Sequence, residues 1–386
     1  MKIGVIGAGR LGICLALLIE DVGYDVIASD VREEYISDLQ NGIIHTAEPE
    51  VLDYLKESRN IEFTTDNLKV ISESDIIFTL VQTPSLENGS YNVSDVDDVV
   101  SDFLKFSWEQ DTSAKSLVIG CTTNPGDCDF FHDRLSETGV DVYYNPEFIA
   151  QGSIIKDLQN SDMVLIGGKG RHSEDLKLIY EKIQMEYKTP SIHFMSPTAA
   201  EITKIAVNCF LTTKISYANM LGDVLRNAGC GDEIPTVLSA IGTDSRVGRK
   251  YLRYGFGYGG PCFPRDNRAF ASFAKNVGLD YNLGYVTDAI NNQHAKLLCD
   301  YYDQVNENLP FFFSYITYKK GTDILTESQQ YRLCVDLLDR GRKVYIQNDT
   351  RVIPQIRSEL IDKYGDRVKI VDNKENITEK IFIIEL

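Results

Sequence analysis

The sequence lacks any excess of basic charge: its 386 residues carry 39 Lys and Arg against 57 Asp and Glu, a formal net charge of −18. That balance excludes a general nucleic-acid or anionic-membrane binder, since either surface favours a basic face. Any phosphate ligand must be held by a few placed Lys, Arg or backbone N–H groups against an adverse overall field. No apolar run approaches the ~20 residues that span a bilayer. The opening, MKIGVIGAGRLG, is a short apolar strand running into glycines, without the basic segment, long apolar core and cleavage site of a secretory signal. CxxC pairs are also missing, for the eight cysteines (14, 121, 128, 209, 230, 262, 299 and 334) are scattered. Their spacing argues against a disulfide framework or a zinc site and for a reducing, cytoplasmic setting. On numbers alone, seven or eight of them read as small core residues. No metal, no membrane and no nucleic-acid partner is expected.

What is present is enough chain for two or three domains. KIGVIGA, YDVIASD, SDIIFTLVQTP, SLVIGCTTNPG, VDVYYNPEF and DMVLIGG read as buried strands ending in turn residues, with helical stretches between them. A parallel, doubly wound sheet fits that alternation. From Pro197 apolar residues recur at helical spacing for some thirty positions until Gly229 stops them, and further helical segments follow to about residue 305. Then PFFFSYITY, a helix ending LLDRG, KVYIQND, a helix to KYG, VKIVD and KIFIIEL alternate again. The expected layout is α/β at residues 1–196, a helical middle at 197–305 and a smaller α/β domain at 306–386.

Gly7, Gly9 and Gly12 form a GxGxxG that follows a strand and opens a helix, with Leu11 beside the last glycine. Such glycines allow a tight turn, close approach of a pyrophosphate and close helix–strand packing, with the helix N-terminus facing the phosphates. Asp30 ends the second strand 18 residues after Gly12. A carboxylate there accepts hydrogen bonds from an adenosine ribose and repels a 2′-phosphate, which favours NAD over NADP, although Arg32 lies close by. FAD is the rival for the same fingerprint; a glycine turn without a cofactor is the bland alternative.

On the long helical segment Lys204 and Asn208 stand four residues apart, on one face. They read as an ordinary polar stripe, or as a pair that holds a substrate oxygen turning negative. Cys262 sits in GYGGPCFPRD, flanked by Gly259, Gly260, Pro261 and Pro264. Pro264 suits position N1 of a following helix, which would set Cys262 just outside a helix N-terminus whose partial positive charge favours thiolate. Arg265 adds to that effect and Asp266 partly opposes it. An exposed thiolate downstream of a dinucleotide fold suggests oxidation of an aldehyde through a thioester.

At this point the chain resembles the UDP-glucose and GDP-mannose dehydrogenases over nearly its whole length. The resemblance rests on VQTPSLENGSYNVSDV, NPEFIAQGSIIKDL, EITKIAVNCFLTTKISYANML, DSRVGRKYL and GFGYGGPCFPRD, in that order. It implies an N-terminal Rossmann NAD-binding domain, a central helical dimerisation region and a C-terminal Rossmann-like UDP-binding domain. It also implies four-electron oxidation of a nucleotide sugar at C6, with two NAD consumed. By position, Cys262 matches the nucleophile, and Lys204 with Asn208 the pair that stabilises charge on the C6 oxygen. Asp266 matches the carboxylate of the proton transfer, Thr122 the threonine that positions a water beside the nicotinamide, and Glu147 the acid of thioester hydrolysis. Thr83, Gln151 and Arg265 fall at cofactor contacts. Phe148, Ile149, Tyr251, Leu252, Arg253, Tyr254, Gly255 and Gly259 fall at substrate contacts. Arg246 matches an arginine that reaches a substrate across a homodimer, and Lys319 a lysine of the UDP-binding domain. The NPEF segment and the Lys204 helix look most like the UDP-glucose branch.

Several positions depart from the family pattern. Gln151 stands where a Glu is usual, Pro261 where a Ser is, and Arg265 where a Lys is. Thr326 replaces an Arg that contacts NAD, Ile324 a polar residue, and the strand PFFFSYITY lacks its usual glycine. The chain is also expected to be shorter at its C-terminus than most relatives. A different nucleotide sugar, or a binding protein left by erosion of an enzyme, are the readings that compete with UDP-glucose.

Overall fold

The computed structural model describes residues 1–184, 189–306 and 308–384. The chain divides into two compact units, Met1–Lys204 and Ile205–Leu386, with the division inside one helix, Pro197–Asn227.

In the first unit eight strands form one sheet: β1 (Lys2–Ile6), β2 (Asp25–Ser29), β3 (Ile61–Thr64), β4 (Ile76–Thr79), β5 (Ser116–Ile119), β6 (Asp141–Tyr144), β7 (Val164–Gly167) and β8 (Ile192–Met195). Their order is β3-β2-β1-β4-β5-β6-β7-β8. Alternate residues of each strand face opposite ways, so Ile3, Val5 and Phe78 join one core with Ile13 and Leu17, while Ile6 and Ile77 join another with Val100 and Phe131. Both faces are therefore covered, as a parallel sheet requires. The expected all-parallel sheet needs one correction: β7 runs antiparallel to β6, with Tyr144 opposite Gly167. The intervening helix, Ile154–Gln159, has only six residues and rises about 9 Å, so it stays near one end of the sheet instead of recrossing it. The segment NPEFIAQG is thereby kept at the carboxyl end of β6. The edge strands β3 and β8 are absent from the expected set because they are half-exposed and carry Glu62 and His193 instead of a full apolar run.

In the second unit, helices Ile234–Thr243, Phe263–Asn276 and Leu283–Val305 follow the long helix. A parallel sheet of β9 (Phe311–Phe313), β10 (Val344–Gln347), β11 (Val368–Val371) and β12 (Phe382–Ile383) comes next, in the order β11-β10-β9-β12. Phe311, Phe313, Leu337 and Ile346 centre its core. The segments PFFFSYITY and KIFIIEL give much shorter strands than their apolar runs suggest; the end of the latter lies outside the described residues. The helix expected to end at KYG begins as Ile353–Ile356 and continues as a π-helical run, Arg357–Asp362.

The long helix is inverted relative to an ordinary amphipathic one. Glu201, Lys204, Asn208, Thr212, Ser216, Asn219 and Asp223 are buried, whereas Phe210 (63% exposed), Tyr217, Met220 and Val224 (56%) face outward. Lys204 and Asn208 do belong to a polar stripe, but the stripe is inside. Buried polar groups need partners: Glu201 accepts from Thr123 Oγ1 and the backbone N–H groups of Gly126 and Cys128, and Thr212 donates to Asn267.

The turn after β1 depends on Gly12. A Cβ there would lie 2.0 Å from the carbonyl oxygen of Gly7, itself at φ +93°. Gly12→Ala is expected to destabilise the protein by about 1–3 kcal/mol, read as a lower denaturant midpoint; an unchanged midpoint would show that the turn relaxes freely.

Candidate active site

The glycine turn opens on a cleft of about 670 Å³ whose lining includes Gly7, Gly9, Arg10, Asp30, Arg32, Leu80 and Gln82. A Cβ at Gly9 would meet nothing within 4 Å, so it would project into open space where a pyrophosphate backbone contact is needed. Leu11 packs against the core, and Thr83 and Thr122 follow the carboxyl ends of β4 and β5, where doubly wound sheets bind nucleotides. These residues fit a dinucleotide. Asp30 is engaged by Arg32, which donates Nε and Nη2 to its two carboxylate oxygens at 2.7 and 2.8 Å and stacks on Tyr35. A ribose diol must share or displace that pair. Arg10 donates to Gln151 at 3.1 Å, so the amide that replaces the usual carboxylate borders the same turn.

Glu147 follows β6 in the first unit and is half-buried. Burial pushes its carboxyl up to about 7, against a hydrogen bond with Tyr180 and the charge of Lys204. Tyr180, on helix Ser173–Gln184, has its hydroxyl 2.5 Å from both Glu147 Oε1 and Asn145 Oδ1. Lys204 donates to the Glu147 carbonyl at 2.8 Å and stands over the Phe148 ring, 4.7 Å from its centroid. Ile149 packs on the core. Glu48 holds the next turn by accepting from the N–H groups of Gly152 and Ile154. The structure thus brings Glu147, Phe148 and Lys204 together.

In the second unit Cys262 is the N-cap of helix Phe263–Asn276. Pro264 is the second residue of that helix, one place later than the expected N1. Six of the eight thiols are buried; Cys262 and Cys230 are exposed. Asp266, buried in the first turn, accepts from Asn208 Nδ2 at 2.6 Å, so its carboxylate is aimed at the long helix. Arg265 is half-buried beside it. The glycines before Cys262 serve close packing. A Cβ at Gly259 would sit 2.2 Å from the Glu327 carbonyl oxygen, and one on Gly260, at φ +83°, 2.4 Å from the Tyr318 ring. Gly260 N–H donates to the Thr326 carbonyl at 3.2 Å. Thr326 therefore contributes its backbone where the family pattern has an arginine side chain, and Lys319 follows Tyr318 with its own side chain exposed.

Of the loop residues, Tyr251 and Arg253 are exposed, Tyr251 at φ +62°, while Leu252 is buried. The loop is fixed by residues that sequence reasoning passed over. Asn219 accepts from Gly255 N–H at 3.0 Å, and His294 Nε2 lies 2.8 Å from the Gly255 carbonyl oxygen. Asp223 receives His294 Nδ1 at 2.7 Å and the Tyr254 hydroxyl at 3.0 Å. Asn219 and Asp223 continue the helical spacing of Lys204 and Asn208, a signal that could have found them; His294 and Tyr180 carry none. Arg246 stands apart from these groups, its guanidinium exposed and paired with Asp244. Among the described residues no cluster of three or more His, Cys, Asp or Glu could hold a metal, and no helix is long and apolar enough to cross a membrane.

Comparison with known proteins matches the NAD-binding domain of the UDP-glucose/GDP-mannose dehydrogenase family to residues 1–184 and its central domain to residues 198–293. A UDP-glucose 6-dehydrogenase of Bacillus subtilis is 31% identical over 73% of this chain, which spans 61% of that relative. One from Haloferax volcanii is 28% identical over 89% of this chain and 82% of its own. A UDP-glucose dehydrogenase structure from Pyrobaculum islandicum superposes with a TM-score of 0.85 at 25% identity, over 99% of this chain and 89% of that one. A UDP-D-ManNAc dehydrogenase from Pyrococcus horikoshii shares the fold at a TM-score of 0.75 and 22% identity, over 100% and 99% of the two chains. The chain belongs to the UDP-glucose/GDP-mannose dehydrogenase family, nucleotide-sugar dehydrogenases that work with NAD.

Proposed function

We propose that this protein oxidises UDP-glucose at C6 to UDP-glucuronate through a covalent bond to Cys262. The observation that carries the reading is the Cys262 thiol, exposed at a helix N-cap with Asp266 in the first turn held by Asn208. An N-terminal helix dipole favours the thiolate that such a bond needs. Bound NAD would supply the hydride acceptor for each of the two oxidations at C6. Lys204 and Asn208 supply donors to the C6 oxygen as it gains charge, and Asp266, with Thr122 placing a water, takes the alcohol proton. Cys262 Sγ then adds to the aldehyde carbon; loss of the second hydride leaves a thioester. Glu147 takes a proton from the water that attacks it, and the thiolate leaves. A reducing compartment such as the cytoplasm keeps that thiol available.

UDP as the handle is supported by a cavity of about 230 Å³ lined by Phe312, Ser314, Gln347, Lys374 and Ile383 at the carboxyl ends of β9, β10 and β12, since the switch point of such a sheet takes nucleotides. We keep the division into domains at residues 1–196, 197–305 and 306–386 as part of this proposal. The names of the B. subtilis and H. volcanii relatives favour glucose as the sugar. A homodimer is supported by the outward stripe of Phe210, Tyr217, Met220 and Val224, and Arg246 would reach across it.

With purified protein, UDP-glucose and excess NAD, about two NADH should form per sugar consumed. Turnover of a different nucleotide sugar in place of UDP-glucose would move the substrate and keep the chemistry; silence with every sugar would favour a binding protein. Cys262→Ala should lower formation of the carboxylate at least ~10²-fold; full four-electron oxidation by that variant would overturn the covalent route. Phe210→Lys together with Val224→Lys should shift the sedimentation coefficient to that of a monomer. A wild-type protein that sediments as a monomer would refute the dimer.

A further inference from the structure

Tyr180 stands between two oxygen acceptors. Its hydroxyl oxygen lies 2.5 Å from Asn145 Oδ1 and 2.5 Å from Glu147 Oε1. The orientation of the amide is set by a third group: Asn145 Nδ2 donates to the Leu165 carbonyl at 2.7 Å. A carbonyl can only accept, so a flipped amide would press two oxygens together there, and Oδ1 must face Tyr180. The row Asn145 Oδ1, Tyr180 Oη and Glu147 Oε1 therefore contains two short contacts. A phenol brings one proton and the amide oxygen brings none. The second proton has to come from Glu147. Were the carboxyl ionised, one of the two contacts would be bare oxygen against oxygen, between Asn145 and Tyr180 that are each only 1% exposed or between Tyr180 and the carboxylate.

We propose that Glu147 is a protonated acid in the resting protein and that Tyr180 is its positioning residue, giving its own proton to Asn145 and accepting that of Glu147. The chain of donors runs from Glu147 through Tyr180 to Asn145 and ends on the Leu165 carbonyl, so Oε1 is committed and Oε2 is the oxygen left for chemistry. Two titratable groups face the carboxyl among the described residues of this unit. Tyr180 comes from helix Ser173–Gln184; Lys204 comes from the long helix, where its charge favours ionisation and its Nζ is bonded to the Glu147 carbonyl. Burial opposes ionisation, in the same direction as the proton count.

The consequence deepens the proposed function and, for its catalytic meaning alone, rests on it. A protonated Glu147 cannot accept a proton from water, so it must first lose its own to solvent, which its half-buried carboxyl can reach, before it can act as base on the thioester. On that loss the Tyr180 hydroxyl has one proton for two oxygens and turns it from Asn145 to the carboxylate. Hydrolysis is thus set apart from the two oxidations by the protonation of one acid.

Infrared difference spectroscopy of the full chain, without substrate, reads this directly. The C=O stretch of a protonated carboxyl, assigned by its loss in Glu147→Gln, should be present at about pH 6 and disappear as pH rises past neutrality. A band absent at about pH 6 would overturn the proposal, because the tyrosine would then be a donor to a carboxylate. Asn145→Ala tests the other end of the row. With no competitor the phenol proton goes to the carboxylate and the midpoint falls, whereas an unchanged midpoint counts against the contest. The band is read without turnover, so it stands or falls separately from the substrate.

Discussion

The structure depends on the burial of a polar stripe along one helix. Seven polar side chains from Glu201 to Asp223 are turned inward on Pro197–Asn227, and each must recover inside the protein what it gave up in water. That demand fixes the elements around the helix. Glu201 caps the N-terminal end of helix Asp127–Leu135 and anchors the threonine loop after β5. Lys204 ties down the chain after β6. Asn208 holds Asp266 beside Cys262, and Asn219 and Asp223 hold the Tyr254–Gly255 turn, the last through His294. The residues that resemblance matches to chemistry and those that fix the loops are members of one stripe.

Close backbone approach is the second constraint. The Cys262 loop meets the segment from Tyr318 to Glu327 at contacts that leave no space for a Cβ on Gly259 or Gly260. Holding a thiol open to solvent therefore requires the chain behind it to be packed tightly, and the glycine run reports that packing. The same segment explains how Thr326 is accommodated: its carbonyl accepts from Gly260, a contact that any side chain at 326 leaves intact.

Much of this was legible in the sequence. The strand–GxGxxG–helix with Asp30 was readable because backbone geometry dictates glycine there, and Cys262 because cysteine between glycines and prolines is at odds with a core role. The edge strands β3 and β8 were not, since half-exposed four-residue strands carry no sustained period. Nor was the reversal at β7, which follows from a helix too short to recross the sheet. The polar stripe was visible, yet its inward direction was hidden: helical spacing says which residues share a face and is silent about which face is buried. Tyr180 and His294 gave no signal, because an aromatic on an amphipathic helix reads as packing until its hydroxyl or ring nitrogen is seen to have partners. Arg32 was visible as a neighbour of Asp30, but its two-point grip on that carboxylate needed coordinates.

The distribution of thiols has a consequence for the protein's response to oxidants. Burial pushes Cys14 and Cys121 up to about 12, Cys209 and Cys299 to about 11, and Cys128 and Cys334 well above the usual thiol range. Peroxide attacks thiolates, so these six keep their protons and are spared, and the hydrophobic cores with them. What an oxidant can reach is Cys230 and Cys262. Peroxide would thus modify the molecule at two exposed sulfurs while leaving its cores folded, and a reductant that restores those sulfurs would restore the whole.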